Sequence, residues 1–207
     1  MNAIGHDMPA ASRTVGRRER NKQEKLDRIT AAATELFAEH GVDEVTTQQI
    51  ADKADIGTGT LFLYAKNKGE LLLLVQNATY ADALIRGRAA ADLLPEPFEA
   101  VMAIVRPVVE CNRKQIDNGR TYLREMAFGD PEEPHHRDAL NLNAQTEEAI
   151  ADVLRRDERI EPDAAPVLAH IVSAIAFITM AATVNAGSSV EELLREIGDQ
   201  VRVILPR

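Results

Sequence analysis

Thr46, Thr47, Gln48, Thr58, Thr60, Tyr64 and Lys68 fall within one stretch of the 207-residue chain, VTTQQIADKADIGTGTLFLYAKNKGELL, residues 45–72. They supply hydroxyls, an amide and one ammonium, and no nucleophile paired with a base. Their chemistry is therefore non-covalent recognition. Enzyme signatures are missing elsewhere: there is no nucleophile elbow, no HExxH and no paired cysteines, and GTGT lacks the Gly-Lys-Ser/Thr of a phosphate loop. The chain reads as a non-enzyme with no cofactor. His135-His136, near Glu132, Glu133 and Asp138, has metal-ligand chemistry without recognisable spacing, and reads as an exposed loop.

Helices must position these groups. Leu26, Ile29, Ala33, Leu36 and Phe37 share one face of a helix over 20–40, stopped by Gly41. A second helix opens at Thr46-Thr47, where Thr46 and Gln49 have capping-box spacing. Asp55 closes it in a left-handed turn, and Ile56 plugs that turn into the core. A third helix starts at Gly57 or Thr58 and runs to about Ala65, and Asn67 with Glu70 caps a fourth. Helix N-termini present unpaired N–H groups and partial positive charge, which suit phosphate oxygens. Lys68 in the first turn of the fourth helix opposes the dipole by about 0.3–1 kcal/mol. A bound phosphate would remove that conflict; a solvated lysine is the alternative.

Residues from about Leu26 to Leu72 resemble the DNA-binding domain of the tetracycline-repressor (TetR) family. The shared pattern includes Ala32, Leu36, Phe37, Gly41, Thr46, Thr47, Ile50, Ala51, Ala54, Gly59, Thr60, Leu61, Tyr64, Asn67, Lys68 and Leu71. Departures are Asp55 for the usual turn glycine, Gly57 for the small polar cap, Phe62 for tyrosine and Ala65 for an aromatic. The resemblance implies that Thr47, Tyr64 and Lys68 hold the DNA backbone, with Thr46 beside them at the helix start. It implies that Gln48, Thr58, Gly59, Thr60 and Leu63 face the major groove. Gln can pair bidentately with adenine, and Thr or Leu can touch a thymine methyl. No Arg or Lys precedes Lys66 in the third helix, so it is predicted to read methyls and shape more than guanines.

The formal charge is −9, yet residues 1–68 balance ten Lys/Arg against ten Asp/Glu, so the excess of acid lies in residues 69–207. Residues 13–25 hold six basic and two acidic residues, a basic arm in which Arg17, Arg18 and Arg20 could add backbone or minor-groove contacts. A solubilising tail is the other reading of that arm. A lone cysteine, Cys111, fits a reducing cytoplasm and reads as a buried thiol. Ala164–Val184 has no Asp, Glu, Lys or Arg, but Pro166, His170 and small residues favour a helix buried on several sides over a membrane span.

The expected fold is all-α: a disordered arm (1–19), a three-helix helix-turn-helix domain (20–66), and a larger helical ligand-binding and dimerisation domain (67–207). Breakers divide the last into helices over 98–118 (with Pro107 predicted to kink it), 121–128, a helix of about 23 residues ending near Arg159, 164–184 and 189–205. The resemblance implies a homodimer through the last two helices, with Val167, Ile171, Ile175 and Ile178 forming one apolar stripe and Phe177, Met180 and Val184 another. It also implies an effector pocket, with Phe98, Met102, Val105, Tyr122, Met126, Phe128, His136 and Phe177 as candidate lining or plain core. The function so implied is a regulator, most simply a repressor, that leaves a palindromic operator when a small molecule binds. A constitutive DNA-binding regulator is the alternative.

Overall fold

A computed structural model describes residues 16–206. It holds nine α-helices and one 3-10 turn, with no strand among the described residues. Residues 1–15 of the basic arm lie outside them. Helix α1 (Arg17–His40) begins three residues before the arm was expected to end, so Arg17, Arg18 and Glu19 form its first turn.

The head is built by local rules. Thr46 caps α2 (Thr47–Lys53) with both bonds of the capping box. Asp55 carries the turn at φ 53°, a conformation its short side chain tolerates. Helix α3 (Thr58–Leu61) is shorter than its sequence suggests: Phe62 to Tyr64 continue as turns, and Leu61 plugs the core. Asn67 caps α4 (Lys68–Ala91) by accepting from the Glu70 N–H, but the Glu70 side chain does not return the bond. The head's interior is Ile29, Phe37, Val45, Ile50 and Leu61, all nearly inaccessible.

Helix α4 carries the chain into the larger domain, where α5 (Pro97–Arg113) lies against it. A Cβ on Gly87 would stand 2.9 Å from the Ile104 Cα, so only glycine allows this approach. Pro107 does not interrupt α5. The break instead falls at Lys114-Gln115, and α6 (Ile116–Phe128) starts five residues earlier than the Gly119-Arg120 signal implied. Gly119 sits inside α6 because its missing Cβ would lie 2.0 Å from the Asn112 carbonyl oxygen. Helices α7 (Pro134–Leu154), α8 (Ala164–Ala181) and α9 (Val190–Ile204) complete the domain, α9 opening on the Ser189–Glu192 capping box. Arg113 ties α5 to the end of α8 by donating to the carbonyls of Met180 (3.4 Å) and Asn185 (3.0 Å), which the helix dipole favours.

Helix α8 is, among the described residues, the one helix long and apolar enough to cross a membrane by length and composition. It packs on α7 and α9 instead of standing alone. Its two apolar stripes differ. Val167, Ile171 and Ile178 are exposed, with Ala174 between them, whereas Ile175, expected in that stripe, is half-buried against the core, and Phe177 and Met180 turn inward. Val184 does not follow Phe177 inward; it sits 87 % exposed in the 3-10 turn after the helix.

Candidate nucleic-acid interface and buried cavity

The helix-turn-helix residues gather on one outer face of the head. Gln48, Gly59 and Leu63 are exposed, and Thr47, Thr58 and Thr60 are half-buried beside them. The Thr58 hydroxyl donates to Gln48 Oε1 at 2.7 Å, and Gln48 Nε2 donates to Asp52 Oδ1 at 2.7 Å. Gln48 is thereby tied to both α2 and α3, with one amide hydrogen and one oxygen lone pair outside these two bonds. Thr46 spends its hydroxyl on the cap, through Gln49 Oε1 at 2.9 Å and the Gln49 N–H at 3.2 Å. It shapes the start of α2 and has little left for DNA.

Tyr64 and Lys68 are both half-buried at the flank of this face. The Tyr64 hydroxyl donates to the Lys22 carbonyl at 3.3 Å, and Lys68 Nζ to the Asp43 carbonyl at 3.0 Å. Neither has a carboxylate partner among the described residues, so either can turn to a phosphate oxygen by giving up one neutral bond. A cleft runs from the first turns of α1 to the end of α3, lined by Arg17, Arg18, Lys22 and Lys25 with Thr60, Leu63 and Tyr64. Lys22 and Lys25 escaped the sequence reading, which saw the charge run but not that helix α1 would carry it beside α3.

The larger domain holds a narrow, partly open cavity of ≈ 30 Å³ within ≈ 480 Å³ of empty space. Val105 and Met126 line it, as does Phe177, joined by Tyr80, Asn112, Thr146, Ser173 and Met180 among others. The other candidates stand elsewhere. Phe98 lies under the Arg202 guanidinium, 4.0 Å from its ring centre, and Met102 packs on Gly198, because that face of α5 meets α9. Phe128 is 85 % exposed on an outer cleft that also contains Arg120, Arg124 and the far side of Phe177. Tyr122 is one layer behind the cavity, its ring stacked on Tyr80 at 6.1 Å between centroids.

His136 is not in an exposed loop. Pro134 starts α7, which places both histidines in its first turn. His136 is buried, with Nε2 2.9 Å from the Met126 carbonyl. His135 Nε2 lies 2.9 Å from the Tyr64 carbonyl, and since a carbonyl only accepts, that nitrogen carries the proton. No group of three or more His, Cys, Asp or Glu is placed to hold a metal among the described residues.

Beyond its contacts with α4, the head is tied to the larger domain through α6 and α7. On α6, Asn118 accepts from the Val42 N–H at 2.7 Å and donates to the Phe37 carbonyl at 2.8 Å, clamping the α1–α2 turn. On α7, His135 holds Tyr64, and Lys66 pairs with the buried Glu133 carboxylate, which raises the lysine's pKa. The His135 carbonyl accepts from Asn77 Nδ2 at 2.9 Å, and the Tyr122 hydroxyl donates to Asn77 Oδ1 at 2.9 Å. A continuous chain of contacts thus runs from Tyr80 at the cavity through Tyr122, Asn77 and His135 to Tyr64 at the end of the reading face.

A capped helix-turn-helix whose exposed face is polar and flanked by lysines and arginines, set on a helical domain with a cavity, is an arrangement suited to binding DNA. Residues 29–75 match the bacterial regulatory proteins of the tetR family. Over that segment, the head and the start of α4, the chain is similar to that family. It is 37% identical over 54 residues to a fatty acid metabolism regulator protein of Bacillus subtilis, a match spanning 26% of this chain and 28% of that protein. It is 26% identical over 175 residues to the HTH-type transcriptional regulator TcmR of Streptomyces glaucescens, covering 82% of this chain and 71% of the relative. The fold is that of Thermus thermophilus FadR, a TetR-family repressor solved with lauroyl-CoA, at TM-score 0.70 and 23% identity over 88% of this chain and 96% of that one.

Proposed function

We propose that the chain is a repressor that binds a palindromic operator as a homodimer and is released by a small-molecule effector. The observation that carries this reading is the contact chain from the cavity wall to Tyr64. An effector that binds best when Tyr80 and Tyr122 move also shifts His135, and with it the orientation of the reading face. The two heads of a dimer must match half-sites about one helical turn apart or a multiple of it, so a small tilt of each head weakens binding.

Dimerisation is supported by Val167, Ile171 and Ile178 on α8, an exposed apolar stripe on a helix that carries no Asp, Glu, Lys or Arg. Thr47, Tyr64 and Lys68 would grip phosphates; Gln48, Thr58, Gly59, Thr60 and Leu63 would face bases. The protein would act in the cytoplasm, with the DNA. The effector class of the FadR relative belongs to that protein, and at 23% identity only its fold carries over.

The narrowness of the cavity favours a second reading, a constitutive DNA binder. One experiment separates them. Operator fragments are first selected from genomic DNA with the full-length protein, and anisotropy then follows their release across a metabolite library. No selected fragment would refute both readings, and tight binding that no compound weakens would leave the second.

A further inference from the structure

The cavity's one unmet demand is at Asn112. On α5 it follows Val105 and Val108 at helical spacing, a buried amide on an apolar wall. Its Nδ2 donates to the Gly119 carbonyl at 3.0 Å, and that acceptor settles which end of the amide is which. Oδ1 is then an acceptor, buried, with no donor among the described residues. A buried acceptor without a donor costs free energy that a ligand's N–H or O–H would recover.

The rest of the lining sets the ligand's character. Tyr80, Asn143, Thr146 and Ser173 are polar but neutral, and no charged side chain lines the cavity among the described residues. Thr146 already donates to the Leu142 carbonyl at 2.9 Å, so toward the Tyr80 hydroxyl, 3.5 Å away, its oxygen acts as acceptor. A carboxylate or ammonium inside would be desolvated with nothing to pair it. Entry has a visible door: Phe177 lines both the cavity and the outer cleft of ≈ 360 Å³ beside Arg120 and Phe128, so a turn of that side chain joins the two spaces.

We infer that the cavity takes a neutral, mainly apolar small molecule that donates one hydrogen bond to Asn112 Oδ1, and that Asn112 is its specificity-determining residue. This rests on the cavity being the effector site. The probes are matched pairs offered to the full-length protein in calorimetry: octan-1-ol against methyl heptyl ether, and 4-propylphenol against 4-propylanisole, with octanoate and 4-propylbenzoate as the anions. In at least one pair the donor compound binds about fivefold tighter than its ether, as expected for one hydrogen bond, and the anions bind more weakly than either. Asn112→Leu brings the members of that pair together, and Ala176→Phe, which fills the cavity, removes binding of both.

Equal binding within both pairs, stronger binding of an anion, or no binding of any probe overturns the inference. The wild-type comparison decides it even if a variant fails to fold. Operator binding measured on the same preparation with no probe present tests the regulator by itself, so a failed ligand class is distinguishable from a failed regulator.

Discussion

His135 Nε2 donates to the Tyr64 carbonyl across 71 residues of sequence, 2.9 Å between a helix of the larger domain and the last turn of the reading face. Tyr64 also has its hydroxyl at the cleft between α1 and α3, donating to the Lys22 carbonyl. One residue is therefore gripped from behind through its backbone and exposed in front through its side chain.

Replacing His135 with alanine leaves the Tyr64 carbonyl without its donor and should cost about 0.5–1.5 kcal/mol of stability. The loss is local. Amide exchange accelerates in residues 58–66 while α5 and α8 keep their protection, and effector-dependent release from operator DNA falls below its wild-type factor. Uniform acceleration across the protein would show that His135 supports the whole fold and not the head.

Lys68→Ala removes a phosphate contact. Operator affinity should drop by a similar factor for all sequences, and the slope of log K against log salt should shrink by about 1. Gln48→Ala behaves differently, weakening a preferred site by about 1–3 kcal/mol while sparing non-specific DNA. Anisotropy titrations at several salt concentrations on matched and scrambled duplexes check both. A sequence-dependent effect of Lys68→Ala would reverse its assigned role.

Selected operators should lack invariant guanines opposite α3, because residues 58–65 contain no Arg or Lys to pair with O6 and N7. Any guanine contacts would map to Arg17, Arg18, Lys22 or Lys25 in the adjoining cleft, and substituting those residues would relax them.

Burial holds the Glu70 carboxyl above its ordinary value of 4.5, with Oε2 left without a partner. The folded state thus favours the protonated form. Stability from this group is fully present below pH 4.5 and is lost as pH rises through the raised value. Glu70→Gln should therefore melt at a higher temperature than wild type at pH 7, with the gap closing as pH falls below 4.5. A gap that widens on acidification would mean that Glu70 is stabilised as the anion.

Ile178→Glu places a charge on the exposed stripe of α8, twice over if the interface is two-fold. Two unpaired charges there cost on the order of several kcal/mol, enough to leave monomer at micromolar concentration in light scattering. Operator affinity falls with it, while the helical circular dichroism is retained. An unchanged mass would move the interface away from this stripe.

What could be read along the chain was local. A capping box needs only residues three apart, which is why Thr46–Gln49 and Ser189–Glu192 were visible before any fold was known. The turn at Asp55 and the amphipathic faces of the head obey the same short range. The cavity does not. Tyr80, Asn112, Thr146 and Phe177 come from four different helices, and their spacing in sequence carries no sign that they meet. Phe98 and Met102 looked equally suited, being apolar on the same helix, but turned to α9 because a helix offers only part of its circumference to any one neighbour.

His135 and His136 show the division most plainly. Beside acids and prolines they resemble a solvated loop, yet Pro134 begins a helix there and α7 packs against α4. The sequence alone specified the helix-turn-helix head, because caps and turn residues act on their own neighbours. Only the tertiary structure decided how that head is held and what its cavity lacks, because both depend on groups that packing alone brings within hydrogen-bond reach.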